Sequence, residues 1–292
     1  MSRYERWNAL LELVATHGHL SVAAAASALD VSEATIRRDL DQLSEQRMLT
    51  RTRGGATNSS QLAHELPLLY KTARHAPEKQ LIGRIAAALI APGSTVVLNG
   101  GTTTLEVARA LVAGGDAGRE ALREELAGLA PQSVASPGGR PPGARSLGGA
   151  GSGPLVTVVT NALSIASELA VRPQVKLVLT GGVARPESYE LIGPLATYVL
   201  SDLTFDWAIL GVDGLDAVAG ATAYNEGEAS INRLMAQRAQ RVAIVADSSK
   251  LGKRAFARVC GADEIDAVVT DAATGSEAVA MLADRGIRVI TT

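Results

Sequence analysis

The 292-residue sequence predicts an α/β protein in two parts: a short helical unit at the amino terminus and a larger body with a largely parallel sheet. Three observations carry this prediction. Apolar residues recur at helical spacing through the opening segments. From about Leu81 onward, β-branched runs alternate with helical periodicity. The length also exceeds what one small domain needs, so two domains are the natural reading.

In the first part, Trp7, Leu10, Leu11 and Val14 mark one helix, and "THGH" breaks its pattern. Ser21 is placed to cap a second, alanine-rich helix in "SVAAAASALD". The tight connection "DVS" follows, Ser32 can cap again, and "EATIRRDLDQLSEQ" forms a third helix with Ile36, Leu40 and Leu43 on one face. "MLTRTRGGAT" then suits a small β-ribbon or an extended arm.

The strand candidates of the second part are "STVVLNGG", "LVTVVTN", "VKLVLTGG", "WAILGVDG", "RVAIVADSS", "AVVTDAA" and "RVITT". Most end in Gly, Asn, Asp or Ser, and parallel sheets bind ligands beyond the carboxyl ends of their strands. The expected division is a helical unit with its ribbon at residues 1–57, a linker at 58–80 that holds His64 and His75, and an α/β unit at 81–292. Residues 113–154 are rich in Gly, Pro, Ser and Ala apart from "REALREELAGL", and read as a flexible surface insertion.

Composition excludes several classes. With 28 Lys and Arg against 30 Asp and Glu, net charge is −2, so any contact with nucleic acid has to come from a local patch. The single cysteine, Cys260, rules out an internal disulfide framework, fits a reducing compartment and reads as an inert, half-buried thiol. No apolar run reaches membrane-spanning length, and charges interrupt the amino terminus in a way unlike a secretory signal. The expectation is a soluble, cytoplasmic protein with no membrane partner. His17 and His19 have no Cys or His companions nearby, so a solvated turn is expected there, with no metal and no cofactor. Aromatic residues make up 3 % of the chain, too few for an RNA-stacking platform.

A short helix, a tight turn and a further helix make the layout of a helix-turn-helix, whose last helix enters the major groove. With Ile36, Leu40 and Leu43 inward, helical geometry points Ala34, Thr35, Arg37, Arg38 and Asp41 outward. Arg51 and Arg53 in the ribbon, beside Gly54 and Gly55, suit phosphate or minor-groove contact. A plain three-helix bundle with solvated arginines is the alternative that spacing leaves open.

"VSEATIRRDLDQLSEQRMLTRTRGGA" resembles the helix-turn-helix and wing of the DeoR family of bacterial transcriptional regulators, matching at Ser32, Thr35, Ile36, Arg37, Arg38, Asp39, Leu40, Gly54, Gly55 and Ala56. The resemblance implies a winged helix-turn-helix in which Ser32, Thr35, Arg37, Arg38, Arg51 and Arg53, with Gly54 and Gly55, contact double-stranded DNA. Arg53 stands where the family often has His. The likeness continues through "EKQLIGRIAAALIAPGSTVVLNGGTTTLEVARAL", "TVVTNAL", "LVLTGG", "WAILGVDG", "GEASINRLM" and "VAIVADSSKLGKRAF". It implies a carboxy-terminal sensor domain with a ribose-5-phosphate-isomerase-like fold that answers to a phosphorylated sugar or polyol.

The residues themselves agree with such a ligand. Gly100 and Gly101 let the backbone approach an anion, and Thr102, Thr103 and Thr104 offer hydroxyls at a helix start. Lys250 supplies a counter-charge and Asp247 can take ligand hydroxyls. Thr160 and Asn161 add uncharged groups at another strand end, and Asp213 and Glu228 can bind hydroxyls or support cations. Two positions depart from the family pattern: Asn99 replaces the acid of D-x-G-T-T, and Asn232-Arg233 replaces a Lys-Arg pair.

The expected function is a transcriptional regulator, a repressor of carbohydrate genes released by its effector and acting as a symmetric dimer or tetramer. The alternative is a sugar-phosphate isomerase. Asp213, Asp216, Glu228, Asp247 and Lys250 would supply its acid, base and electrophile.

Overall fold

The computed structural model describes residues 3–45, 48–57, 72, 75–113, 155–271 and 276–292. The amino-terminal unit runs α1 (Arg3–His17), β1 (His19–Ser21), α2 (Val22–Leu29), α3 (Glu33–Glu45), β2 (Thr50–Thr52) and β3 (Gly55–Thr57). Its core is Trp7, Leu10, Leu11 and Val14 of α1, packed with Ile36, Leu40 and Leu43 of α3 and with Met48, Leu49 and Ala56. Ser21 caps α2 by accepting from the Ala24 N–H at 3.1 Å. Asp30 ends that helix in the left-handed region, φ 52°, which makes the sharp turn into α3.

The wing has three strands in the order β1-β3-β2, all antiparallel, where the sequence suggested a small β-ribbon or an extended arm after α3. The third strand is the "HLS" segment after the break in α1. It is too short to give an alternating pattern. Gly55 is needed where β3 crosses it, because a Cβ there would lie 2.1 Å from the Leu20 carbonyl oxygen.

The second unit is built on seven parallel strands: β4 (Thr95–Leu98), β5 (Val156–Thr160), β6 (Val175–Leu179), β9 (Phe205–Gly211), β12 (Ala239–Val245), β14 (Ala267–Thr270) and β15 (Arg288–Thr291). Alternate residues along them feed two apolar layers. Val96, Leu98, Val158, Ile209 and Val245 meet α4 (Ala76–Ala88), α5 (Thr102–Ala113) and α6 (Leu163–Leu169). Val97, Val159, Leu210 and Ile244 meet α7 (Pro194–Ser201), α8 (Glu226–Gln237) and α9 (Ser276–Ala283). A sheet covered on both faces explains why its strands read as nearly continuous apolar runs.

Five short strands lack that signature and were not legible in the sequence. β7 (Val183–Arg185) and β8 (Glu190–Ile192) form a hairpin, and β10 (Gly214–Asp216), β11 (Gly220–Ala223) and β13 (Ala257–Cys260) form a small antiparallel sheet. Helix α4 begins at Ala76, inside the stretch read as linker. Residues 58–71 with His64, and residues 114–154 of the insertion expected at 113–154, lie outside the described residues, while Ala113 ends a helix. Among the described residues, no helix is long and apolar enough to cross a membrane.

The order of the large sheet is β15-β14-β12-β9-β4-β5-β6. From β4 the chain winds outward to β5 and β6, then returns to β9 on the other side of β4. The crevice beyond the carboxyl ends of β4 and β9 is therefore the topological switch point, where open parallel sheets hold ligands.

Candidate nucleic-acid interface and effector site

On α3, Arg37 and Arg38 are exposed, while Ile36 and Leu40 are fully buried. Arg37 pairs with Glu33 one turn earlier at 2.5 Å, and both side chains are about half exposed, so the pair is easily exchanged for a phosphate. Ser32 and Thr35 are partly committed within the protein. The Ser32 hydroxyl accepts from the Thr35 N–H at 3.2 Å and shares a hydrogen bond with the Thr35 hydroxyl at 2.9 Å, which closes the amino end of α3.

Arg51 is also engaged. Its Nε donates to Asp41 of α3 at 2.7 Å, and a guanidinium N–H donates to the Gly55 carbonyl, so it ties the wing to α3. Arg53 and Gly54 are exposed at the wing tip, with Gly54 at φ 90°. The structure thus sets Arg37, Arg38 and Arg53 outward, and gives Gly55 and Arg51 a part in shaping the wing. His19 lies in β1 rather than in a free turn, 3.4 Å from the Thr52 hydroxyl. The described residues hold no group of three side chains fit for a metal ion.

In the second unit the loop after β4 reaches the switch point. Asn99 is nearly inaccessible: its Nδ2 donates to the Gly211 carbonyl at 2.9 Å and its Oδ1 accepts from the Gly211 N–H at 2.8 Å. The Asn that departs from the family's acid therefore pairs both of its functions with the end of β9, a role that a carboxylate fills only in half. Gly101, at φ 145°, then turns the chain into α5. Thr104 is fully buried and donates its hydroxyl to the Gly101 carbonyl at 3.2 Å, so it braces the turn. Thr102 and Thr103 open α5, whose first N–H groups and positive dipole end suit an anion.

The loops after β5, β9 and β12 lie at the same edge of the sheet, because all these strands are parallel. The Thr160 hydroxyl accepts from the Ala162 N–H at 3.1 Å, and Asn161 donates to Glu190 at 2.9 Å and to the Leu191 carbonyl at 3.2 Å. Both residues are fully buried; Asn161 holds the β7–β8 hairpin against the sheet, and the Thr160 hydroxyl braces the turn after β5. Asp213 accepts from the Tyr224 N–H at 3.0 Å. Glu228 pairs with Arg185 at 2.7 Å near the start of α8.

Asp216, the other acid of that stretch, caps a turn through the N–H groups of Val218 and Ala219 and pairs with Arg254. Asp247 caps and Lys250 ends a single 3₁₀ turn, Ser248–Lys250, that Asp271 anchors through the Ser248 N–H and hydroxyl. Burial pushes the Asp247 carboxyl up, but the Ser249 hydrogen bond and the charges of Lys250, Lys79 and His75 outweigh it and hold the group below the usual carboxylate value.

Lys79, Glu190 and Arg185 are further polar residues of these sites, and Asp39, a motif position in the sequence, has a buried role of its own. Lys79 and Asp39 each fall on the apolar stripe of a helix, three residues before Ile82 and three after Ile36, and a charge on such a stripe is a legible signal. Glu190 and Arg185 face each other across a hairpin that left no pattern. Asn232, in place of the expected lysine, is a buried neutral amide one turn after Glu228, so that face of α8 carries no cation. Cys260 is fully buried rather than half-buried, and burial pushes its thiol up to about 12.

Comparison with known proteins agrees with both halves. Residues 6–61 match the DeoR-like helix-turn-helix domain, and residues 74–116 and 152–272 match the DeoR C-terminal sensor domain. The HTH-type transcriptional regulator GlpR of Haloferax volcanii is 30 % identical over 98 % of this chain and 96 % of its own length. The glycerol-3-phosphate regulon repressor of Escherichia coli K12 is 28 % identical over 99 % of each chain. Among solved structures, a ribose 5-phosphate isomerase from Methanocaldococcus jannaschii aligns over 60 % of this chain and 54 % of its own, with a TM-score of 0.35 and 15 % identity. The regulator reading thus stands over the isomerase alternative, and the chain belongs to the DeoR family of DNA-binding transcriptional regulators.

Proposed function

We propose that the chain is a repressor in which residues 1–57 read an operator, a linker follows, and the body from α4 onward senses a phosphorylated sugar or polyol. The observation that carries the sensing half is the Gly100-Gly101 turn into α5 at the switch point, with an open helix start flanked by strand-end polar groups. Lys79 and Lys250 are the cations for the phosphate, and Asp213, Glu190 and Asp247 are acceptors for the hydroxyls. A full-length relative named for the glycerol-3-phosphate regulon agrees with this ligand class.

Reading is assigned to Arg37 and Arg38 in the major groove, with Thr35 and Ser32 at the start of α3 and the wing tip, Arg53 and Gly54, on the backbone or minor groove. A homo-oligomer, dimer or tetramer, places two such helices on repeated half-sites. An effector that binds one arrangement of the sensors better than another shifts the DNA-competent population.

The test of the sensing half is calorimetric titration with a panel of sugar and polyol phosphates beside their unphosphorylated parents. One phosphorylated compound should bind, and Lys250→Met should weaken it at least tenfold. Equal binding of a parent compound would remove the phosphate from the account.

A further inference from the structure

Asp39 belongs to the run "TIRRDL", yet it neither faces outward with Arg37 and Arg38 nor is apolar like Ile36 and Leu40. Its side chain is 4 % exposed. Three donors from α1 converge on the carboxylate: Arg6 Nε at 2.5 Å, Arg6 Nη2 at 3.2 Å and Trp7 Nε1 at 2.8 Å. Arg3, one turn earlier on α1, lies over the Trp7 ring at 4.4 Å from its centroid and donates to Gln42, one turn beyond Asp39 on α3.

A carboxylate buried this deeply is costly unless its lone pairs are met, and here they are. Such a pair adds little stability over apolar packing of the same volume, but it is directional. Leucines at an interface between helices slide over one another, whereas a guanidinium fork on a carboxylate fixes one mutual rotation and height. The carboxylate sits next in sequence to Arg38, so any roll of α3 about its axis that moves the arginines also breaks the fork.

We propose that Asp39 is a positioning residue for operator recognition: clamped by Arg6 and Trp7, it sets the roll of α3 on α1 and so the aim of Arg37 and Arg38 at base edges. The inference rests on α3 being the reading helix. Groups that read bases need placement to within about 0.5 Å, which supporting hydrogen bonds provide, whereas phosphate attraction tolerates much looser geometry.

Asp39→Asn keeps the shape and an acceptor for Trp7 but turns an amide against Arg6. The experiment uses the full chain and duplexes that the wild type selects from a random library, with scrambled duplexes as the reference, well below each variant's melting temperature. Asp39→Asn should lower the ratio of selected to scrambled affinity at least tenfold. Affinity for scrambled DNA should stay within twofold of wild type, with the same salt dependence. Arg6→Gln should do the same, and the double variant should be no worse than either single one.

An unchanged ratio, or a parallel fall on both kinds of duplex, would overturn the proposal, the latter assigning Asp39 to stability alone. Arg38→Ala is the separate check on α3. If that variant binds both duplexes as the wild type does, the reading helix itself is misassigned.

Discussion

Gly100→Ala is the sharpest perturbation of the loop after β4, the proposed effector site. An added Cβ would lie 2.2 Å from Glu190 Cγ and 2.5 Å from its Cδ and Oε1, where ordinary contact begins at 3.4 Å. The clash reaches back to Cγ as well as the carboxylate, so a rotation of the carboxylate alone does not relieve it. Glu190 would have to retreat by about 1 Å, and its strand and the 2.9 Å bond from Asn161 hold it in place. Overpacking of this kind costs about 1–3 kcal/mol, and disturbing a hydrogen bond to a buried carboxylate adds about 1.5 kcal/mol. A total near 3 kcal/mol lowers the melting temperature of a body of this size by roughly 6–12 °C.

The assay is thermal unfolding followed by circular dichroism, with and without millimolar orthophosphate. The variant should melt well below wild type and lose any phosphate-induced rise. Gly93→Ala is the control, because Gly93 has a positive φ of 82° but open space at its Cβ, which leaves only backbone strain of about 1 kcal/mol. A Gly100→Ala protein that melts with the Gly93→Ala control and keeps its response to phosphate would refute the packing of Glu190 on the loop.

Two further outcomes follow from the ionisable groups. Asp247 has a folded-state pKa below its unfolded one. Its charged form therefore contributes stability that is complete above the unfolded value, about pH 4, and is lost as pH falls through the folded value. In urea titrations the stability gap between wild type and Asp247→Asn should be full at neutral pH and shrink on acidification below about pH 4; a gap independent of pH would contradict this. Cys260, buried and with its thiol near 12, should not react with a disulfide reagent at pH 8 in the native state and should react fully once unfolded. Rapid native-state modification would show that the strand carrying it opens.

The sequence made the helices and the covered strands readable because each buries a stripe or run long enough to show its period, as in Ile36, Leu40 and Leu43 or in "TVVL". It hid β1, β7, β8, β10, β11 and β13, three or four residues each, whose pairing is decided by partners distant in the chain. The loop after β4 was legible as a turn into a helix because glycines and hydroxyls gather between a strand and a helix there. Residue roles were less so. Asn99, Thr104, Thr160 and Asn161 do lie at or just beyond the carboxyl ends of the strands, yet their side chains are engaged in holding loops together. Arg51 looks from its neighbours like a phosphate ligand and in the fold bridges the wing to Asp41. Spacing places a residue at an edge, but it does not say which side-chain atoms are already taken.

The most direct measurement is fluorescence anisotropy of the full chain on a duplex selected from a random library and on its scrambled counterpart, repeated with each phosphorylated sugar or polyol and its parent. The account predicts selective binding to the first duplex, and its release by one phosphorylated compound and not by that compound's parent. Binding with no preference between the duplexes, or release that ignores the phosphate, would contradict it.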